Sequence, residues 1–261
     1  MLRALSCTAL LIATFTASAA NAATQQPETL TVLSSGGIMG AIREVAPAYE
    51  KSHNIKLNIQ AAPSMGETPQ AVPNRLARGE QADVVLMVGS ALDKLVTNGQ
   101  ASKASRIDLG ESYIAMAVRK GEAKPDISNM KSFRQSLLDS KSVAYSDSAS
   151  GVFLSTTLFP SMNLGSAFTA KARMIPAEPV GAVVARGDAQ LGFQQLSELK
   201  PVSGIDIVGL IPSEAQKMTM YSGAIVSKSS HQAQAQALLD YLASRQADGA
   251  IEDSGLKPLK H

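Results

Sequence analysis

Leu30-Thr31-Val32-Leu33-Ser34-Ser35-Gly36-Gly37-Ile38-Met39-Gly40-Ala41-Ile42 passes from an extended apolar run, through a loop of serine and glycine, into a stretch of helical periodicity. Ile38, Ile42, Val45 and Tyr49 recur at helical spacing up to Lys51, so the segment predicts a strand, a short loop and an amphipathic helix. The same pattern continues outward, with a strand over 55–60, a helix over 72–78 and a buried strand over 83–88, DVVLMV. Consecutive β-α-β units imply a parallel sheet covered by helices. A second set opens at Ser142-Val143-Ala144-Tyr145, runs through the loop 146–151 into a helix from Val152, and reaches a strand at 190–193. Two such sets predict two lobes.

Between the sets, the apolar runs 113–119 (YIAMAVR) and 219–226 (TMYSGAIV) stand where the chain would cross from one lobe to the other. The division expected is 1–22 as a signal peptide, 23–112 as the first part of lobe 1, 113–217 as lobe 2, and 218–261 as the crossover strand and return to lobe 1. The return is an amphipathic helix over 232–243 with Ala235, Leu238, Leu239 and Leu242 inward. The signal peptide rests on Arg3, an apolar run to Phe15 and the small-residue end Ala20-Asn21-Ala22, which predicts cleavage after Ala22 and a periplasmic protein. Cys7, the one cysteine, leaves with it, so disulfides and thiol chemistry are excluded from the exported chain.

The 261 residues carry 24 Lys and Arg against 22 Asp and Glu, a balance that gathers neither nucleic acid nor an anionic membrane. Any anion specificity has to be local. The three histidines, His53, His231 and His261, form no pair at ligand spacing, so no metal site is expected. A G-x-S-x-G elbow, a Walker loop and a G-x-G-x-x-G fingerprint are all missing, which removes ordinary serine hydrolases, P-loop NTPases and dinucleotide enzymes.

What repeats is a strand that ends in a small-residue loop and opens a helix. Ser34, Ser35, Gly36 and Gly37 form one such loop; Ser148, Ala149, Ser150 and Gly151 form another. Free N–H groups at a helix start and serine hydroxyls make an anion site without net charge, although the same residues also serve as plain helix caps. In open α/β sheets, ligands bind at these strand ends. Ser64 and Met65, in the loop PSMGETP, and Gly89 follow the next two strands; Val180 opens a helix, and Gln194 and Gln195 end the last strand. Arg75 and Arg173 are the nearest candidate carboxylate clamps, with a solvated surface role as the alternative.

At these loops the chain resembles the periplasmic molybdate-binding family of type 2 solute-binding proteins, through LTVLSSGGIMGAI (30–42), NRLARGEQADVVLMV (74–88), VAYSDSASGVF (143–153) and IPAEPVGAVVARGDAQLGF (175–193). The resemblance implies a two-lobed type 2 periplasmic-binding-protein fold of class α/β, each lobe a mainly parallel sheet flanked by helices, with an anion in the cleft between lobes and closure on binding. Two positions depart from the family: Gly37 stands where it carries a serine, and Gln195 where it carries a tyrosine. With PSMGETP, KARMIPAEPVG and LGFQQLSEL, these departures make the chain similar to a divergent subgroup, the secreted aconitate isomerases.

That subgroup implies interconversion of trans- and cis-aconitate by an allylic proton shift with no cofactor and no metal. The tricarboxylate would rest on the donors of 34–37, 64–66 and 148–151, and Glu67 and Glu178, each in a cleft loop, are the candidate proton-transfer groups because a dry cleft raises a carboxyl pKa. Helix-start capping is the alternative role for both. The parent family implies a different activity: a monomeric receptor that delivers molybdate, tungstate or an organic acid to an ABC transporter.

Overall fold

The structure, a computed structural model, describes residues 27–260. The signal peptide expected over 1–22, with Arg3, Cys7 and the Ala22 cleavage point, lies outside the described residues, as does His261. The strands are β1 (Glu28–Ser34), β2 (Ile55–Ala61), β3 (Val84–Val88), β4 (Ile107–Ser112), β5 (Ile114–Arg119), β6 (Val143–Ser146), β7 (Ala172–Ile175), β8 (Leu191–Gln195), β9 (Ile205–Leu210), β10 (Thr219–Ile225) and β11 (Lys257–Pro258). They form a six-stranded sheet in the order β11-β4-β10-β3-β1-β2 and a five-stranded sheet in the order β7-β6-β8-β5-β9. Each sheet has its own hydrophobic core, and together they make two lobes.

The opening unit folds as its periodicity requires. Ile38, Ile42, Val45 and Tyr49 are all buried on one face of the helix Gly36–His53, against Leu30, Val32 and Leu33 of β1. β3, all five residues buried, lies between β1 and β10, which is why its sequence is an unbroken apolar run rather than an alternating one. Ala235, Leu238, Leu239 and Leu242 of the helix Gln232–Leu242 are buried in the same core, so the chain returns to the first lobe. β7 and β9 are the edges of the second sheet, and of their residues only Ile175 is fully buried.

The expected parallel pairing is confined to β2-β1-β3 and β7-β6-β8. The rest is antiparallel, so each sheet is mixed rather than mainly parallel. Apart from β11 with β4, the antiparallel pairs all involve β5 or β10, the strands that enter their sheets from the other lobe; β5 does so after Tyr113 alone, without the long crossover that joins parallel neighbours. Gln216, beside the returning segment, ties the two crossings together, accepting from Ile114 N–H at 2.8 Å and donating to Ile114 O at 3.0 Å. No helix among the described residues is long and apolar enough to cross a membrane.

Candidate functional site

β1 and β3 of the first sheet and β6 and β8 of the second end toward one another, and a cavity of about 390 Å³ lies between them. Its first-lobe wall begins at Ser35, whose N–H donates to Leu86 O at 2.9 Å and whose extended backbone starts the helix Gly36–His53. Ser35 occupies the N-cap position, yet its hydroxyl caps nothing; Oγ is buried and has no partner among the described residues. The first N–H groups of an α-helix have no carbonyl within the helix, so this wall presents free donors. Ser64 stands beside it, its Oγ accepting from Val88 N–H at 2.9 Å.

The second-lobe wall is built at the end of β6. Ser146 Oγ lies 3.0 Å from Ser148 Oγ and 3.2 Å from Ser150 Oγ, a small hydroxyl cluster, and Asp147 accepts from Ala177 N–H at 3.1 Å. Ala177 needs that support: its φ of 54° is in the left-handed region, costly for a side chain. Gln194, at the end of β8, uses its Oε1 to accept from Val180 N–H at 3.0 Å, which holds the start of the helix Val180–Ala185. Across the cleft, a β-carbon at Gly66 would stand 3.6 Å from Asp147 Oδ2, so the lobes approach closely at this rim.

The floor is the part that sequence reading missed. Glu198, on the short helix Leu196–Leu199 that follows β8 at once, turns its carboxyl into the cavity, where Oε2 is buried and accepts no hydrogen bond from the described residues. Burial first, with a smaller push from Asp147, raises this carboxyl to about 7 against the hydrogen bonds of the Gln194 side chain and the Gln195 backbone, which lower it. Tyr221, on β10, is 2% exposed and brings its hydroxyl to the same cavity. Burial and the Glu198 carboxyl raise that phenol well above its ordinary value, so it keeps its proton at neutral pH.

Gly36 and Gly37 make room for this pair. A β-carbon at Gly36 would stand 2.9 Å from Glu198 Oε1, and one at Gly37 would stand 2.0 Å from the Tyr221 hydroxyl oxygen. Neither glycine is in a positive-φ conformation; each is required by close approach. Chemically, the site offers neutral donors suited to carboxylates, and a carboxyl group poised to take and return a proton near neutrality.

Comparison with known proteins places the fold. The model of the bacterial extracellular solute-binding protein family matches residues 30–257, nearly all of the described chain. The chain belongs to that family. This solute-binding protein is 74% identical, over 237 residues covering 91% of it and 90% of the relative, to an aconitate isomerase of a Pseudomonas species. Solved solute-binding structures share its fold at much lower identity. The periplasmic molybdate-binding protein of Azotobacter vinelandii superposes with a TM-score of 0.71 at 20% identity, covering 88% of this chain and 100% of that one. The sulfate-binding protein of Mycobacterium tuberculosis gives 0.67 at 15% identity, covering 89% and 88%.

Of the residues predicted for ligand or proton transfer, Ser35, Gly36, Ser64, Ser148, Glu178 and Gln194 line the cavity of this solute-binding protein. The others are near it but do other things. Ser34 Oγ donates to Ser35 O at 3.2 Å, Met65 and Ala149 pack on the first core, and Gly89 lies over Ser222 Oγ and Arg106. Ser150 bonds Ser146; Gly151 is pressed on the Ser146 carbonyl, 1.6 Å from where a β-carbon would be. The Val180 N–H is taken by Gln194, and Gln195 Nε2 donates to Thr219 Oγ1 at 2.9 Å.

Both acids chosen from sequence need correction. Glu67 is exposed and does not line the cavity, because its loop turns it to solvent. Glu178 reaches the rim but is paired with Arg186, whose guanidinium holds its carboxyl below the usual range and makes it a weak base. The expected clamps fail too. Arg75 is buried but spends its guanidinium on Glu80, Gln60 and Ala61 O, and Arg173 is exposed, donating to Asp188 O at 2.8 Å. No Lys, Arg or His is among the residues lining the cavity. Among the described residues, no group of three or more His, Cys, Asp or Glu is placed to hold a metal ion.

Proposed function

We propose that this solute-binding protein interconverts trans- and cis-aconitate in the cavity between its lobes, by a 1,3-allylic proton shift in which Glu198 removes the proton and returns it. The observation that carries this reading is Glu198 itself: a carboxyl on the cavity floor, without a cation beside it and titrating near neutrality. A receptor that only holds an anion gains nothing from a buried acid facing its ligand, whereas proton abstraction from carbon gains a base matched to the working pH. The 74% identity to an aconitate isomerase supports the same reaction.

The chemistry is economical. Loss of a methylene proton from aconitate leaves an allyl anion whose two ends carry the same substituents, each with a carboxylate to share the charge. Protonation at the other end gives the isomer. A carboxylate's two oxygens are about as far apart as the ends of an allyl unit, so one group serves both steps. The free N–H group at Gly36 and the hydroxyls of Ser35, Ser64 and Ser148 hold the substrate carboxylates in place of the arginines. Export to the periplasm with cleavage after Ala22, action as a monomer and a tricarboxylate ligand belong to the same proposal; the extracellular character of the family supports the first.

A transport receptor for an oxyanion or organic acid, delivering to an ABC transporter, is the second reading, favoured by the molybdate- and sulfate-binding structures that share the fold. Proton NMR separates the two. Purified protein, treated with chelator and mixed with trans-aconitate, should produce cis-aconitate catalytically; binding without conversion would leave the receptor. Tricarballylate, which has the three carboxylates and no double bond, reads binding alone. Ser35→Ala is expected to weaken tricarballylate by about 1 to 3 kcal/mol, the loss of a hydrogen bond to a charged group from an otherwise unpartnered hydroxyl. Ser148→Ala should cost less, because Ser146 Oγ is 3.0 Å away and substitutes as donor. Calorimetric titration with unchanged affinity for Ser35→Ala would remove this hydroxyl from the site.

A further inference from the structure

We infer that Tyr221 is a second catalytic residue of this cavity, its phenolic O–H donating to the carboxylate oxygen that gains charge as the methylene proton leaves, and that Gly37 is the positioning residue that admits it. The inference rests on the aconitate reading.

Tyr221 is anchored by its ring in the first-lobe core, on the strand by which the chain returns from the second lobe. A buried tyrosine hydroxyl ordinarily has a hydrogen-bond partner. This one bonds none of the described residues although it faces the cavity, which leaves its donor for a ligand. The space it occupies is the space a side chain at Gly37 would fill: a β-carbon there would meet the hydroxyl oxygen at 2.0 Å, Cζ at 2.2 Å and Cε1 at 2.8 Å. Gly36 does the same for Glu198. Two consecutive glycines in the first turn of one 18-residue helix therefore seat an acid and a phenol side by side, with no hydrogen bond between the two. The rigid helix fixes their spacing.

The division of work follows from their chemistry. Glu198 as carboxylate takes the proton; the C–H bond breaks, and its electron pair spreads over the allyl unit into the end carboxylates. Tyr221 keeps its own proton throughout and only strengthens its hydrogen bond as the oxygen becomes more negative, the kind of preorganised donor that lowers a barrier most where water is excluded. The pair then re-forms a C–H bond at the other end with the proton carried by Glu198, which is a carboxylate again. Nothing is oxidised or reduced, and no group leaves.

Tyr221→Phe removes one oxygen and keeps the packed ring. With trans-aconitate, kcat is expected to fall about 100-fold or more, while KM and tricarballylate affinity stay within about threefold, the split left by loss of an interaction made in the transition state. Gly37→Ala, with the tyrosine present but its hydroxyl displaced, is expected to lower kcat in the same way. A Tyr221→Phe protein that turns over within about threefold of the unaltered chain, or one that loses affinity for tricarballylate in proportion to kcat, overturns the inference and leaves the isomerase intact. Absence of conversion by the unaltered chain overturns both.

Discussion

Glu198→Gln is expected to lower kcat for isomerisation of trans-aconitate by about 10²- to 10⁴-fold, the usual contribution of a positioned general base, and to leave tricarballylate binding in place. The amide has nearly the shape of the acid and is neutral, as the protonated acid is, so it fits against Gly36 as the carboxyl does. What it lacks is the ability to accept a proton from carbon. In the unaltered protein, kcat/KM should rise with pH through about 7 as Glu198 ionises, and the variant should lose that limb. Steady-state kinetics across pH 5 to 9 check both statements, and a Glu198→Gln enzyme with its full rate would send the base to another group.

The second large effect is on stability, and its sign is opposite to that of most carboxylates. Glu198 has a folded value of about 7 against an ordinary 4.5. Below pH 4.5 the group is protonated whether the chain is folded or not, and costs nothing. Between 4.5 and 7 the unfolded chain releases the proton while the folded one retains it, so stability falls as pH rises; above 7 the loss is complete, at about 3 kcal/mol. Asp83 and Glu111, which their partners hold low, act the other way and at more acid pH. Urea denaturation of the ligand-free protein at pH 5.5 and pH 8 should therefore show a loss that Glu198→Gln abolishes. Equal pH dependence in both proteins would mean that the carboxyl is not buried as described. The cost is of the kind that active sites carry: a group kept uncomfortable so that it can react.

The alternation of strand and helix is readable because burial acts locally along the chain. Ile38, Ile42, Val45 and Tyr49 announce a helix face before any partner is known, and the unbroken run of β3 announces a strand covered on both sides. The same logic locates the loops at the strand ends, where Ser35, Ser64, Ser148 and Gln194 do line the cavity. It fails for the acid. Glu67 and Glu178 sit in loops that look like cleft loops, and one points to solvent while the other finds Arg186. Glu198 looks, from its neighbours, like an acid in the first turn of a helix, a place where acids are common for reasons of charge alone. Its raised pKa comes first from burial, under the helix that starts at Gly36, and then from Asp147, and neither Gly36 nor Asp147 is near it in the chain.

By itself, then, the amino-acid sequence determined the strand and helix periodicities, the two sets of α/β units and the loops at which a ligand would be held, because hydrophobic spacing and helix-start chemistry are encoded over a few residues. Only the tertiary structure decided which acid is buried at the cavity, why Gly36 and Gly37 have no side chains, and that the arginines are spent elsewhere. Desolvation and close approach are properties of what surrounds a group in space, and the surroundings of Glu198 are assembled from both lobes.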